Sequence, residues 1–334
     1  MSDELRALGE HLRGGYGLAH EHHAALPSTN DRALDWLGED PTGEQPFFLW
    51  LHLQDPHGPY APPRERFQEH AYPDADVTLP AGSDHSGHRA IPRYQLFDDE
   101  QRVGVYVRRY DSEIAFLDQH LQRLLAHLDA QPRFRNTLVA LTADHGEALG
   151  EDGFYFAHGH STGLELVRVP LILAGPGLTA GRIVPQPVSN VALFASVLEF
   201  VGLEPPDGVV QPSLLQVAAG QASPRAVFVE SLNQGGIVSG NAFLRRDRRP
   251  ADDTRFWKGR NPNTGSFWKP LGRQWLSPLD PSGAPPTPLA QVEEHLEAFE
   301  RRAHEARSRQ ADRHSAAPLD PRAREILRSL GYVN

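Results

Sequence analysis

Asp144 and His145 stand side by side in the stretch Thr142-Ala143-Asp144-His145-Gly146-Glu147. The carboxylate offers hard oxygens and the imidazole offers a nitrogen, and a divalent ion takes both. The residues just before them, Asn136 to Leu141, are mostly apolar and β-branched, as in a buried strand. Open α/β sheets place their ligands where such strands end. A polar turn after a strand is the bland alternative. Gly146 suits a sharp turn and leaves room for a ligand. More histidines follow the same style of placement: His57 in Gln54-Asp55-Pro56-His57-Gly58-Pro59-Tyr60, and His158 and His160 in Ala157-His158-Gly159-His160-Ser161. A further cluster, His20-Glu21-His22-His23, has no periodic scaffold and reads as a solvated His-rich segment.

These residues need elements to hold them. Pro46 to Leu53 reads as a strand running into the His57 loop. Val103, Val107, Tyr110, Ile114, Leu117, Leu121, Leu124 and Leu128 alternate steps of four and three, which lays one apolar stripe along a helix. Asp98 and Gln101 suit its N-terminus as a capping-type pair. Asp111 and Glu113 read as part of its solvated face. Then come a strand at 137–143, a loop at 144–165, a strand at 169–174 and a helix at 189–202. That last helix has a stripe of Val191, Phe194, Val197, Leu198 and Val201, with Gly202 as its stop. Strands alternating with helices predict an α/β sheet flanked by helices.

The flanks are less regular. Residues 1–44 are polar, with one helix predicted near 29–37, capped by Thr29 or Asn30. Residues 61–97 form a long Pro-, Gly- and His-rich loop. Beyond Gly202-Leu203-Glu204-Pro205-Pro206 a smaller α+β portion is expected. It has strands at 226–230 and 237–244, an unassigned stretch at 245–288, and an amphipathic helix at 289–310. That helix carries Glu297–Arg301 and Glu305–Arg309 as i,i+4 pairs. The organisation is therefore 1–44, a catalytic-type α/β portion at 45–205, and a smaller portion at 206–334.

The chain has 334 residues, a net charge of -10 and no cysteine. A negative balance argues against nucleic-acid binding, which needs a basic face. It leaves an anionic substrate open, because a metal and a few local cations decide that. Disulfides are excluded, and no apolar run is long enough to span a membrane.

Taken in order, the segments PFFLWLHLQDPHGPYAPP, YDSEIAFLDQHLQRLL, TLVALTADHGEALGEDG, HGHS and LVRVPLILAGPG resemble the sulfatase family of the alkaline-phosphatase superfamily. The resemblance runs over residues 30–203 and more weakly over 290–334. It implies an alkaline-phosphatase-like α/β fold, in part, and hydrolysis of sulfate esters with a divalent metal. Calcium is the first choice; manganese, magnesium and zinc are the others. It implies that Asp144 and His145 are metal ligands and that His57 contacts the sulfuryl or phosphoryl oxygens. It also implies that His158 binds the transferred group and protonates the leaving oxygen, with His160 as the rival. Tyr60, His85 and His88 would rim the substrate pocket, Asp55 would orient its loop, and Arg168 would pair with a carboxylate.

The resemblance also implies a gap. Family members carry a C-x-P-x-R or S-x-P-x-R nucleophile motif and a further aspartate pair, and Ser223-Pro224-Arg225 lacks that spacing. The expectation is a C-terminal portion whose nucleophile segment lies elsewhere, inactive alone, with a separately encoded N-terminal half or a second copy as partner. Two other readings stay open. One is a phosphonate or phosphodiester hydrolase or phosphoryl transferase of the same superfamily. The other is a non-catalytic remnant acting as a binding module. The substrate expected under the first reading is a small-molecule or glycan sulfate ester.

Overall fold

The computed structural model of the chain describes residues 25–39, 46–63, 77–82, 87–159, 161–206, 208–231, 234–247, 273–276 and 288–311. The chain divides into two units: Met1–Ser83 with His88–Val139, and Asp84–Gly87 with Ala140–Asn334. The His20–His23 cluster, His85, His160 and the C-terminal tail lie outside the described residues.

The first unit is built on two helices, α1 (Ala25–Gly38) and α2 (Val103–Asp129). Leu37 of α1 and Leu124 and Leu128 of α2 form a buried cluster, with Leu34, Phe47, Leu49, Leu51 and Phe134 packed against it. Phe47, Leu49 and Leu51 alternate along the extended segment 46–53, so one face of that segment is tucked in. The other face is open: Phe48 is 50% and Trp50 74% exposed. The predicted strand is therefore an extended segment with no ladder among the described residues.

Both predicted helix starts shift. α1 begins at Ala25, and Asn30 is buried within it instead of capping it. α2 has Arg102 at its N-cap with no side-chain cap bond. The acidic group that serves this end is Glu100, not Asp98. Its Oε1 accepts the backbone N–H groups of Gln101 and Arg102 at 3.0 and 2.9 Å. The Arg102 guanidinium beside it holds the Glu100 carboxyl down at about 2. The middle of α2 also departs from expectation: Ser112 and Glu113 are buried, while Ile114 of the apolar stripe is 42% exposed.

In the second unit β1 (Val139–Thr142) pairs with β4 (Leu171–Ala174). The loop expected between them contains structure. β2 (Ala148–Leu149) and β3 (Tyr155–Ala157) pair antiparallel, and a short helix α3 (Leu164–Val167) precedes β4. Ala148, Phe154 and Leu166 form the core of this insertion. Phe156 is fully buried with φ of 53°, a left-handed conformation that bulky residues rarely adopt.

Helix α4 (Ala192–Phe200) follows, buried through Ala192, Ala195, Ser196 and Leu198. Val191, Phe194 and Val201 of the predicted stripe are 66%, 52% and 53% exposed. A short α5 (Leu214–Ala219) is capped by Ser213, whose hydroxyl accepts the Leu215 N–H, and closes on Gly220 at φ 75°. Strands β5 (Val227–Glu230), β6 (Gln234–Ser239), β7 (Ala242–Asp247) and β8 (Arg273–Leu276) then form one antiparallel sheet in sequential order. The single strand predicted at 237–244 is in fact a hairpin turning at Gly240-Asn241.

Helix α6 (Leu289–Ala311) covers this sheet. Ile237, Ala242, Leu244, Val292 and Leu296 make the core, and Phe228 stacks on Phe299 at 4.0 Å. Glu297, expected to pair along its own helix, instead reaches Arg246 of β7 at 3.6 Å, and Glu300 joins it at 2.8 Å.

Candidate active site

The end of β1 is braced before it delivers its side chains. Asn190 Nδ2 donates to the Ala143 carbonyl at 2.9 Å. The Thr142 hydroxyl lies 2.8 Å from the Pro170 carbonyl and 3.1 Å from Asn190 Oδ1, both acceptors for it. Thr142, Pro170 and Asn190 thus fix the backbone from which Asp144 and His145 project. Gly146 has a reason different from the one expected. A Cβ there would sit 2.0 Å from the Glu165 carbonyl oxygen, and its N–H donates to the Leu166 carbonyl at 2.8 Å. The space at Gly146 is filled by the backbone entering α3, not by a ligand.

Asp144 and His145 face the same way. Asp144 Oδ1 accepts the His145 N–H at 3.0 Å, while Asp144 Oδ2 lies 3.7 Å from His145 Nε2. His145 Nδ1 is 2.9 Å from the Gly146 carbonyl. A carbonyl only accepts, so Nδ1 carries the proton and Nε2 presents its lone pair beside the carboxylate. Such a backbone bond on the far nitrogen is how ligand histidines are commonly oriented. Two donors bound to one ion at about 2.0–2.6 Å stand about 3–4 Å apart when roughly at right angles. Asp144, 67% exposed, and His145 fit that role as a pair. Among the described residues no group of three or more His, Cys, Asp or Glu could hold a metal ion.

His158 comes to the same place. Its ring stacks on His145 with centroids 4.0 Å apart and planes at 29°. Its Nδ1 lies 3.2 Å from Glu147 Oε1, and the Glu147 side chain is 6% exposed. The carboxylate oxygen accepts a hydrogen bond from Nδ1–H, which fixes the ring orientation. Glu147 is the site residue that the sequence reading left without a role, although it closes the motif that drew attention first.

The segment after His158 is tied down from the antiparallel sheet. Gln234, fully buried on β6, accepts the Thr162 N–H at 3.0 Å. Arg245, 5% exposed on β7, donates to Ser161 Oγ at 3.2 Å and pairs with Asp152. Burial pushes the Glu165 carboxyl up, opposed by its own backbone N–H and by Arg245.

His57 belongs to the first unit. It is exposed, and its Nδ1 lies 2.7 Å from the Gly58 carbonyl, the same donor pattern as His145. Its loop contains cis peptide bonds at Asp55–Pro56 and Gly58–Pro59. Burial pushes the Asp55 carboxyl up. Tyr60, expected at a substrate rim, is 3% exposed and packs edge-on against Tyr110 at 5.3 Å, so it is a core residue of this unit. His88 is half-buried. Arg168 is exposed, with no ion pair among the described residues.

The chain is 29% identical over 209 residues to a sulfatase of Formosa agariphila, covering 58% of this chain and 41% of that protein. It therefore spans less than half the length of that relative. Two solved structures share the fold. One is a protein bound to its substrate D-glucosamine-2-N,6-O-disulfate, at TM-score 0.51 and 18% identity, covering 69% of this chain and 62% of the other. The second is a phosphonate monoester hydrolase from Silicibacter pomeroyi, at TM-score 0.55 and 19% identity, covering 84% and 60%. These establish an alkaline-phosphatase-like α/β fold. The sulfatase family model matches residues 28–203, which contain Asp144, His145, Glu147 and His158 and make up more than half of the sequence, and the chain accordingly belongs to the sulfatase family.

Proposed function

We propose that this chain supplies part of the active site of a metal-dependent sulfuric ester hydrolase. The observation that carries the reading is the array at the end of β1: a carboxylate and an Nε2 lone pair 3.7 Å apart, with a second imidazole stacked on the first at 4.0 Å. Asp144 and His145 would hold a divalent cation, calcium foremost, which draws charge from the ester oxygens when bound. His158, held through Nδ1 by Glu147, presents Nε2 to the leaving oxygen, and in its imidazolium form it passes the Nε2 proton to that oxygen and returns to the neutral ring. His57, its Nδ1 proton already given to the Gly58 carbonyl, would donate from Nε2 as the imidazolium to a peripheral oxygen of the transferred group, a contact of the kind whose loss costs roughly 2.7–4 kcal/mol of barrier. His160 remains the alternative proton donor. The nucleophile and the remaining ligands come from polypeptide other than these residues. The likeness to a protein whose substrate is D-glucosamine-2-N,6-O-disulfate supports a sulfated glycan as substrate class. The phosphonate monoester hydrolase likeness supports a second reading, in which the same array serves a phosphorus ester.

The test is made in the polypeptide that carries a nucleophile segment together with these residues. Asp144→Ala is expected to abolish calcium binding, followed by calorimetry, and aryl sulfate turnover together. Both surviving unchanged would sink the assignment. Faster turnover of an aryl phosphonate monoester than of the aryl sulfate would establish the second reading instead.

A further inference from the structure

The loop that carries His57 is held from below by side chains that the proposed chemistry does not use. Three consecutive interactions grip its backbone. Glu113 Oε1 accepts the Ala61 N–H at 2.5 Å. Arg109 Nη1 donates to the Tyr60 carbonyl at 2.8 Å, and Gln95 Oε1 accepts the Tyr60 N–H at 3.3 Å. Gly58 is pressed so close to the Gln95 amide that a Cβ would stand 2.0 Å from its nitrogen. Arg109 is itself fixed, its guanidinium lying 3.6 Å above the Phe97 ring. Glu113 and Gln95 are each 1% exposed, so these are buried polar groups spent on one short loop. A buried carboxyl on a long helix is costly unless it does something in return.

We propose that Glu113, with Arg109 and Gln95, is a positioning residue for His57: it fixes the backbone of residues 58–61 and thereby the direction in which the imidazole is presented. This deepens the reading that gives His57 a contact with the ester. The clamp works as an acceptor, and it does not require a charge. Burial pushes the Glu113 carboxyl up to about 8, against the pull of the Ala61 N–H, so near neutrality it is mainly protonated. An amide in its place keeps the acceptor and the size. A thioether keeps the size alone.

Hydrogen exchange on the whole chain separates these roles. Glu113→Gln is expected to hold exchange in the segment 57–62 within about twofold of the native chain. Glu113→Met is expected to speed it about five- to tenfold while protection in the rest of α2 stays put. Native-like protection in Glu113→Met, or equal loss in both variants, overturns the clamp. A measurement needing no apolar variant backs this up. The Ala61 amide resonance of the native chain is expected to shift as the buried Glu113 carboxyl titrates and to stay still in Glu113→Gln; an equal pH-dependent shift in both chains overturns the proposal. Failure here leaves the chemistry of His57 standing. A His57→Ala enzyme with full turnover would remove that chemistry and leave the clamp intact.

Discussion

The sheet β5–β8 covers its own interior, whereas the pair β1 and β4, which delivers the candidate site, leaves much of its apolar surface open. On β6 and β7 the residues run almost continuously buried, and α6 closes over them through Val292 and Leu296. On β4 burial alternates, with Ile172 60% exposed, and helix α4 turns Phe194 outward at 52%. Yet β4 is apolar at every position, Leu171-Ile172-Leu173-Ala174. That composition belongs to strands buried on both faces. Among the described residues the apolar composition of β4 therefore exceeds its burial, whereas on β6 and β7 the two agree.

The largest expected effect would break this contrast directly. Leu244→Ala empties a fully buried position of the closed sheet and is expected to cost about 2–5 kcal/mol in urea unfolding. Ile172→Ala removes a side chain already mostly in water and should stay within about 0.5 kcal/mol. Should Ile172→Ala cost as much as Leu244→Ala, and more at high protein concentration than at low, the face of β4 is covered by a second copy and the contrast fails.

A smaller effect sharpens what the closed sheet does for the site. Arg245→Met keeps the bulk of the side chain on β7 but leaves Ser161 and Asp152 without their guanidinium. The expected loss is about 1–3 kcal/mol, moderated because the Asp152 side chain is 30% exposed and water repays part of it. Exchange in residues 161–166 should rise while β5–β7 keep their protection. Uniform loosening of both would mean Arg245 serves the sheet and not the loop after His158.

The same contrast explains what could be read from the sequence. Val139 to Thr142 and Leu171 to Ala174 were legible because a continuous apolar run ending in Asp-His or Ala-Gly is a local signal. Which face of α4 is buried was not local. Its large side chains suggested the stripe, but Ala192 and Ala195 pack inward and Phe194 points out. Glu113 reads as solvated surface because a charge on an amphipathic helix usually is; its partner, the Ala61 N–H, lies 52 residues away. The β6–β7 hairpin was missed although Gly240-Asn241 is a two-residue turn signal, since the apolar residues on either side read as one strand. Asp144 and His145 stand out in the sequence by residue type and by their place at the end of an apolar run. Glu147 was in view but gained its role only when β3 brought His158 back beside it.

The smallest expected effect concerns the brace at the end of β1, and it tests whether the open region is held where it matters. Asn190 both donates to the Ala143 carbonyl at 2.9 Å and offers an acceptor to the Thr142 hydroxyl at 3.1 Å. Asn190→Ala removes both, for about 0.5–1.5 kcal/mol. Asn190→Asp has the same shape but cannot donate, so a carboxylate oxygen would face the Ala143 carbonyl oxygen. It should be the more damaging of the two at neutral pH and recover towards Asn190→Ala as acid protonates the new carboxyl. Because Ala143 is the residue before Asp144, the cation affinity proposed for that carboxylate should fall about ten- to a hundredfold, as it does when residues supporting metal ligands are changed. If Asn190→Asp unfolds no more easily than Asn190→Ala, the donated bond to Ala143 is not what fixes the strand end. The bond from Thr142 to Pro170 would then be sufficient, and β4 itself would be the element that aims Asp144.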